Sequence, residues 1–135
     1  MKKRILIVHN DPSLAFFLTE TLMELGPQYQ VKSCNSAAKA LLLNRANAFD
    51  LVITDLCTTD LSGLQLIRQL NQHSMRTEYI LMVSYEHKFP PPEIKLIGGH
   101  SIHLLIKPFQ METLLRMIHD IMPVRLEVRE LMMAV

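Results

Sequence analysis

The sequence predicts one α/β domain, a doubly wound five-stranded parallel sheet, and three observations predict it. Short continuous apolar runs, rich in β-branched residues, occur at 5–8, 51–53 and 79–83, and a further run at 102–106 is broken only by His103. Segments with apolar residues at helical spacing separate them. Turn and helix-start residues mark the junctions, as at Asn10-Asp11-Pro12, Ser36 and Ser62-Gly63. Strands covered by helices on both faces read as unbroken apolar runs, and their alternation with helices implies parallel pairing.

Each element follows in order. Ile5 to Val8 is the first strand, and Asn10-Asp11-Pro12 starts a helix behind it. Leu14, Phe17, Leu18, Leu22 and Leu25 recur at helical spacing until Gly26-Pro27 stops them. Tyr29, Val31 and Ser33 alternate weakly, as an edge strand does. Ser36 caps a helix carrying Ala37, Ala40 and Leu41. Leu51 to Ile53 is a buried strand ending at Thr54-Asp55, and Ser62-Gly63 opens a helix with Leu64, Ile67 and Leu70. Tyr79 to Val83 is the fourth strand. Pro90-Pro91-Pro92 leads into a short helix around Glu93 to Ile97, where proline suits a first turn that lacks an N–H partner. Ile102 to Ile106 is the fifth strand, and Met111, Leu114, Leu115, Ile118, Ile121 and Met122 form the cleanest helical stripe. The domain is expected over residues 1–122, with 123–135 a tail or linker stub. In that tail Val124, Val128, Leu131, Met132 and Val135 fit a helical stripe, while Val124, Leu126 and Val128 fit a strand, so a fraying end and a partner-binding helix both stand as readings.

Composition narrows the function. A chain of 135 residues is one domain in size, and a net charge of +1 provides no field toward nucleic acid or an anionic membrane. Cys34 and Cys57 make neither a disulfide framework nor a zinc motif, which points to free thiols in a reducing cytoplasm. The apolar run behind Met1-Lys2-Lys3-Arg4 is too short for a signal peptide, and no run reaches membrane-span length.

Ligands of open parallel sheets sit outside the carboxyl ends of the strands. Those ends carry His9-Asn10-Asp11, Asp55, Ser84 and Lys107-Pro108. An aspartate nucleophile forms an acyl phosphate, a lysine supplies a point charge to phosphate oxygens, and a serine hydroxyl donates to the same group.

With this arrangement the chain resembles the CheY-like receiver domain of two-component response regulators, over residues 2 to about 122. The stretches that carry the resemblance are 5–14 (ILIVHNDPSL), 50–56 (DLVITDL) with 60–63 (DLSG), 80–84 (ILMVS) and 106–109 (IKPF). The resemblance implies a flavodoxin-like (βα)5 fold with strand order 2-1-3-4-5. It implies that Asp55 accepts a phosphoryl group from a histidine kinase or phosphotransfer protein, that Ser84 and Lys107 contact it, and that the Lys107-Pro108 bond is cis. It also implies a Mg²⁺ ion near Asp55, helped by Asn10 or Asp11 and by the backbone carbonyl of Cys57. The partner face of the family, fourth helix, fifth strand and fifth helix, is a candidate for self-association. The chain itself is expected to be no enzyme in the metabolic sense, since it takes and loses a phosphoryl group.

Several positions depart from the family. His9 and Asn10 replace the acidic pair that holds the metal, and Mg²⁺ favours charged oxygen ligands. Asp11 is read first as the cap of the helix that begins at Pro12, and second as a substitute acid. His9 is read first as a hydrogen-bonded strand-end residue, and second as an imidazole beside Asp55. Leu104 occupies the aromatic switch position, and Tyr85 follows Ser84 where a small residue is usual. Thr59 and Gly98-Gly99-His100-Ser101 differ from the pattern as well. Two functions therefore stand side by side: a receiver with a weakened metal site, and a pseudo-receiver that binds protein partners without phosphate. A flavin domain of the same topology fails for want of a Gly/Ser/Thr-rich phosphate cradle after strands one and three.

Overall fold

The computed structural model describes residues 2–58, 60–74, 76–84 and 102–123. Five strands, β1 (Lys3–Val8), β2 (Tyr29–Cys34), β3 (Leu51–Asp55), β4 (Glu78–Ser84) and β5 (Ile102–Lys107), form one parallel sheet in the order β2-β1-β3-β4-β5. Four helices are described: α1 (Pro12–Met23), α2 (Ala37–Ala46), α3 (Gly63–His73) and α4 (Met111–Ile121). The helix expected around Glu93 to Ile97, Tyr85, Thr59, the stretch 98–101 and the tail from Val124 onward lie outside the described residues.

The unbroken apolar runs are explained by burial on both sides. Ile5, Ile7, Leu51, Ile53, Ile80 and Met82 face Leu18 and Leu22 of α1 and Leu114 and Ile118 of α4. Leu6, Val8, Val52, Leu81 and Val83 face Ala37 and Ala40 of α2 and Leu66, Ile67 and Leu70 of α3. Successive residues of a strand point to opposite faces, so a strand sandwiched by helices has no polar side to show. The weak alternation of β2 has the complementary cause. It pairs only with β1 and alternates between partly buried and exposed positions from Tyr29 to Lys32, while Ser33, expected on the same face as Tyr29 and Val31, is exposed.

The helix caps agree with the sequence at α1 and α2. The Asp11 side chain accepts from the N–H groups of Ser13 and Leu14, and Ser36 accepts from Lys39. At α3, Ser62 and Gln65 form a reciprocal capping box. Gly26 ends the α1 turn with φ 119°, a backbone conformation that favours glycine. An expectation fails in α1 as well. Phe17 is 54% exposed, and the buried positions of α1 are Ala15, Leu18 and Leu22. The apolar stripe of α1 is thus one position narrower than its composition suggests. The stripe of α4 holds, and the backbone carbonyl of its C-cap Met122 accepts from the Tyr29 hydroxyl at 3.0 Å, tying the helix end to the β2 edge.

Two stability outcomes follow. Ile53 is fully buried between α1 and α4, so Ile53→Ala should cost about 2–5 kcal/mol in urea unfolding. The Tyr79 hydroxyl is buried with no hydrogen-bond partner among the described residues, and burial pushes its pKa up. Tyr79→Phe removes an unsatisfied polar group and should raise stability by about 1 kcal/mol in the same assay.

Candidate functional site

The sheet order brings the strand ends together. Val8 pairs with Thr54, so the residues that follow them, His9 and Asp55, stand level at the carboxyl edge. Met82 pairs with Asp55, and Ser84 pairs with Lys107 on the other side of β4. Residues up to 98 positions apart in sequence, His9 and Lys107, therefore share one pocket around Asp55.

Asp55 is 15% exposed, and its two carboxylate oxygens are treated differently. Oδ1 lies 3.0 Å from Lys107 Nζ and accepts from the Leu56 backbone N–H at 3.0 Å. Oδ2 faces His9 Nε2 at 3.3 Å. The Lys107-Pro108 bond is cis, as the resemblance implied. Ser84 is half-buried at the same edge.

His9 satisfies both of its readings. Its side chain is 5% exposed, and its Nδ1 accepts from the Asp11 backbone N–H at 2.9 Å. Burial pushes the imidazole below its ordinary 6.5, against the nearby Asp55 carboxylate, which raises it. The ring is accordingly neutral at neutral pH. With Nδ1 committed as an acceptor, the ring proton is on Nε2 and points toward Asp55. That N–H approaches Oδ2 without hydrogen-bond alignment and has no other partner among the described residues.

The remaining sequence candidates divide. Asp11 is exposed and its carboxylate is spent on the N-terminus of α1, so it does not swing toward Asp55 as a substitute acid. Asn10 and Cys57 are both exposed. Cys57 forms an isolated bridge with Ser62 across the loop after β3. Leu104 packs against the α2–α3 face of the core. Among the described residues no three His, Cys, Asp or Glu side chains gather as a metal-binding group. Mg²⁺ asks for several hard oxygen ligands, and here Lys107 Nζ lies against Oδ1, the His9 ring stands beside Oδ2, and the neighbouring Asp11 carboxylate is spent on a helix cap. The donor set does not fit that ion.

Two residues that support the site carried no such role in the sequence reading. Gly63, at the start of α3, donates its N–H to the Leu56 carbonyl at 2.6 Å. A Cβ on Gly63 would meet the Asp55 carbonyl oxygen and lie 2.7 Å from Leu81 Cδ1. Asp60, in the β3–α3 loop, accepts from the N–H groups of Ala37 and Ala38 at 2.9 Å each, so this loop caps the start of α2. Those backbone hydrogen bonds, Ala37 first, hold the Asp60 carboxyl below its ordinary 3.8. Glycine before a helix was a visible signal; a cap 23 residues distant had none.

His9 also borders a groove of about 630 Å³ between α1 and α2, lined by Phe16, Cys34, Lys39 and Leu42 among others and by neither Asp55 nor Lys107.

Both supports are testable. Gly63 is the first residue of α3, and in Gly63→Ala the added methyl clashes with the Asp55 backbone, an overpacking that costs about 1–3 kcal/mol. The net outcome should be a lower urea midpoint with shifted Asp55 and Leu56 amide resonances. For Asp60, a depressed native pKa contributes stability above pH 3.8 that is lost as pH falls through the native value. Asp60→Asn should lower the melting temperature at pH 6 and flatten the acid-side fall measured below pH 3.8.

Comparison with known proteins agrees with this geometry. The response regulator receiver domain profile matches residues 5–119. The chain is 37% identical over 113 residues to the two-component response regulator ARR14 of Arabidopsis thaliana, covering 82% of this chain and 28% of that protein. It is 30% identical over 111 residues to the sensor histidine kinase TmoS of Ectopseudomonas mendocina, covering 82% of this chain and 11% of the relative. The chain thus spans less than a third of the length of these curated relatives. Among solved structures it superposes on the non-phosphorylated HemR receiver domain of Leptospira biflexa with a TM-score of 0.76 and 25% identity, covering 93% of this chain and 98% of that one. A CheY-like receiver domain from Methylobacillus flagellatus gives 0.74 at 23% identity, covering 90% of this chain and all of the other. The doubly wound sheet, the strand-end pocket and these matches lead to one conclusion: this chain belongs to the response regulator receiver domain family of two-component systems.

Proposed function

We propose that this receiver domain accepts a phosphoryl group on Asp55 from a histidine kinase or phosphotransfer protein, in the cytoplasm, through a site that has lost its usual metal side. The observation that carries the reading is the Asp55 carboxylate, held half-dry at the carboxyl edge with Lys107 Nζ 3.0 Å from Oδ1. An oxygen of Asp55 bonds to phosphorus, the P–N bond to the donor imidazole breaks, and its electron pair stays on that nitrogen. The product is an acyl phosphate, whose added charge Lys107 meets directly. Ser84, level with Lys107, supplies a further contact. The chain is then a phosphorylated signalling module and not a metabolic enzyme.

A second reading is favoured by the other half of the pocket. His9 stands on the side where the resemblance implies a metal, and Leu104, at the position of the family's switch aromatic, is partly buried against the core. On that reading the domain is a pseudo-receiver that binds a protein partner, or a second copy, without phosphate. The face expected for this includes residues outside the described set.

Phosphodonor labelling with acetyl phosphate separates the two. Label that disappears in Asp55→Asn, and falls about ten- to hundredfold in Lys107→Ala, is the expected result, since a charge-assisted hydrogen bond is worth about 1.5–3 kcal/mol and each 1.36 kcal/mol is tenfold in rate. A wild-type domain that takes no label under any condition leaves the pseudo-receiver as the function.

A further inference from the structure

His9 Nε2–H is a buried donor whose hydrogen-bonding capacity is unmet among the described residues, and it points into the pocket. Buried polar groups are nearly always paired, so one that is not calls for an acceptor that arrives later. Its orientation is fixed from behind. The Asp11 N–H holds Nδ1 at 2.9 Å, and the same Asp11 caps α1, so the ring is anchored by the helix start itself. The ring sits 3.3 Å from Oδ2, the Asp55 oxygen not engaged by Lys107 or Leu56. A phosphoryl group attached to Asp55 places its oxygens beyond the carboxylate, within reach of a donor at that distance.

We propose that the Nε2–H of His9 binds the phosphoryl group on Asp55 in place of a divalent cation, so that this receiver is phosphorylated without metal. The proposal rests on Asp55 being the phosphoacceptor. The donor set argues the same way: the positions flanking His9 offer an exposed amide, Asn10, and a carboxylate already capping α1, Asp11. The phosphoryl group is then held from two sides, by the Lys107 ammonium and by an imidazole N–H that stays on Nε2 whether or not the ring gains a second proton. The transfer balances as for any acyl phosphate: the new bond is from Asp55 oxygen to phosphorus, and the donor keeps the electron pair of the bond that breaks.

The test uses the whole chain, acetyl phosphate as donor, and phosphate-affinity electrophoresis as readout, once in EDTA and once in millimolar Mg²⁺. Wild type should label at the same rate in both. His9→Gln keeps a side-chain N–H donor and should retain most of that rate. His9→Leu should lose about ten- to hundredfold, the value of one hydrogen bond to a charged group. The double change His9→Asp with Asn10→Asp provides two carboxylates and should make labelling depend on Mg²⁺. Amide NMR spectra of each variant report whether the fold is kept, and the wild-type comparison needs no variant. Wild-type label that requires Mg²⁺ overturns the role of His9 and leaves Asp55 as phosphoacceptor. Unchanged label in a folded His9→Leu does the same. No wild-type label in either condition overturns the phosphoacceptor reading, and the role of His9 with it.

Discussion

One carboxylate, half withdrawn from water between an ammonium and an imidazole N–H, sets the terms for the whole carboxyl edge of this sheet. A charge in such a place is costly unless it is paired and hydrogen-bonded. Lys107 supplies the opposite charge, and the Leu56 N–H supplies a backbone hydrogen bond to the same oxygen. His9 adds a third group without adding a second positive charge, because burial keeps its ring neutral. A charged imidazole there would also face Lys107, which lowers its pKa further.

These three groups come from the ends of β1, β3 and β5, and only the parallel register places them side by side. The loops then fix what the strands deliver. Gly63 lets α3 begin against the Asp55 carbonyl, where a side chain would collide. Asp60 leaves the same loop to cap α2. Asp11 caps α1 and, through its N–H, aims His9. The N-termini of three helices are thus tied to the rim of the pocket, so a change in the charge at Asp55 acts on groups that also hold the helices in place.

That coupling gives the family assignment a specific physical form in this chain. On one side of the pocket Lys107, ahead of a cis Lys107-Pro108 bond, lies 3.0 Å from Asp55. On the opposite side a buried ring and a helix cap occupy the place of paired acids. The same carboxylate therefore faces an imidazole N–H on that side.

How much of this was legible in the sequence depends on the range of the interaction. The strands were legible because burial on both faces leaves unbroken apolar runs, as in Ile5 to Val8. The caps Asp11 and Ser36 were legible because a cap acts within three residues of itself. Phe17 was misplaced because helical spacing gives the apolar stripe but not its edges, which the packing of α1 on the sheet decides. Asp55, Ser84 and Lys107 could be named from motif and spacing. By itself, then, the sequence determined the strands and most helix faces, which follow from local pattern, and it placed Asp55, Ser84 and Lys107 at strand ends. Only the tertiary structure decided that the His9 ring lies against Asp55 and that Asp60 caps a distant helix. Those choices rest on distances between residues far apart in the chain, which no local pattern encodes.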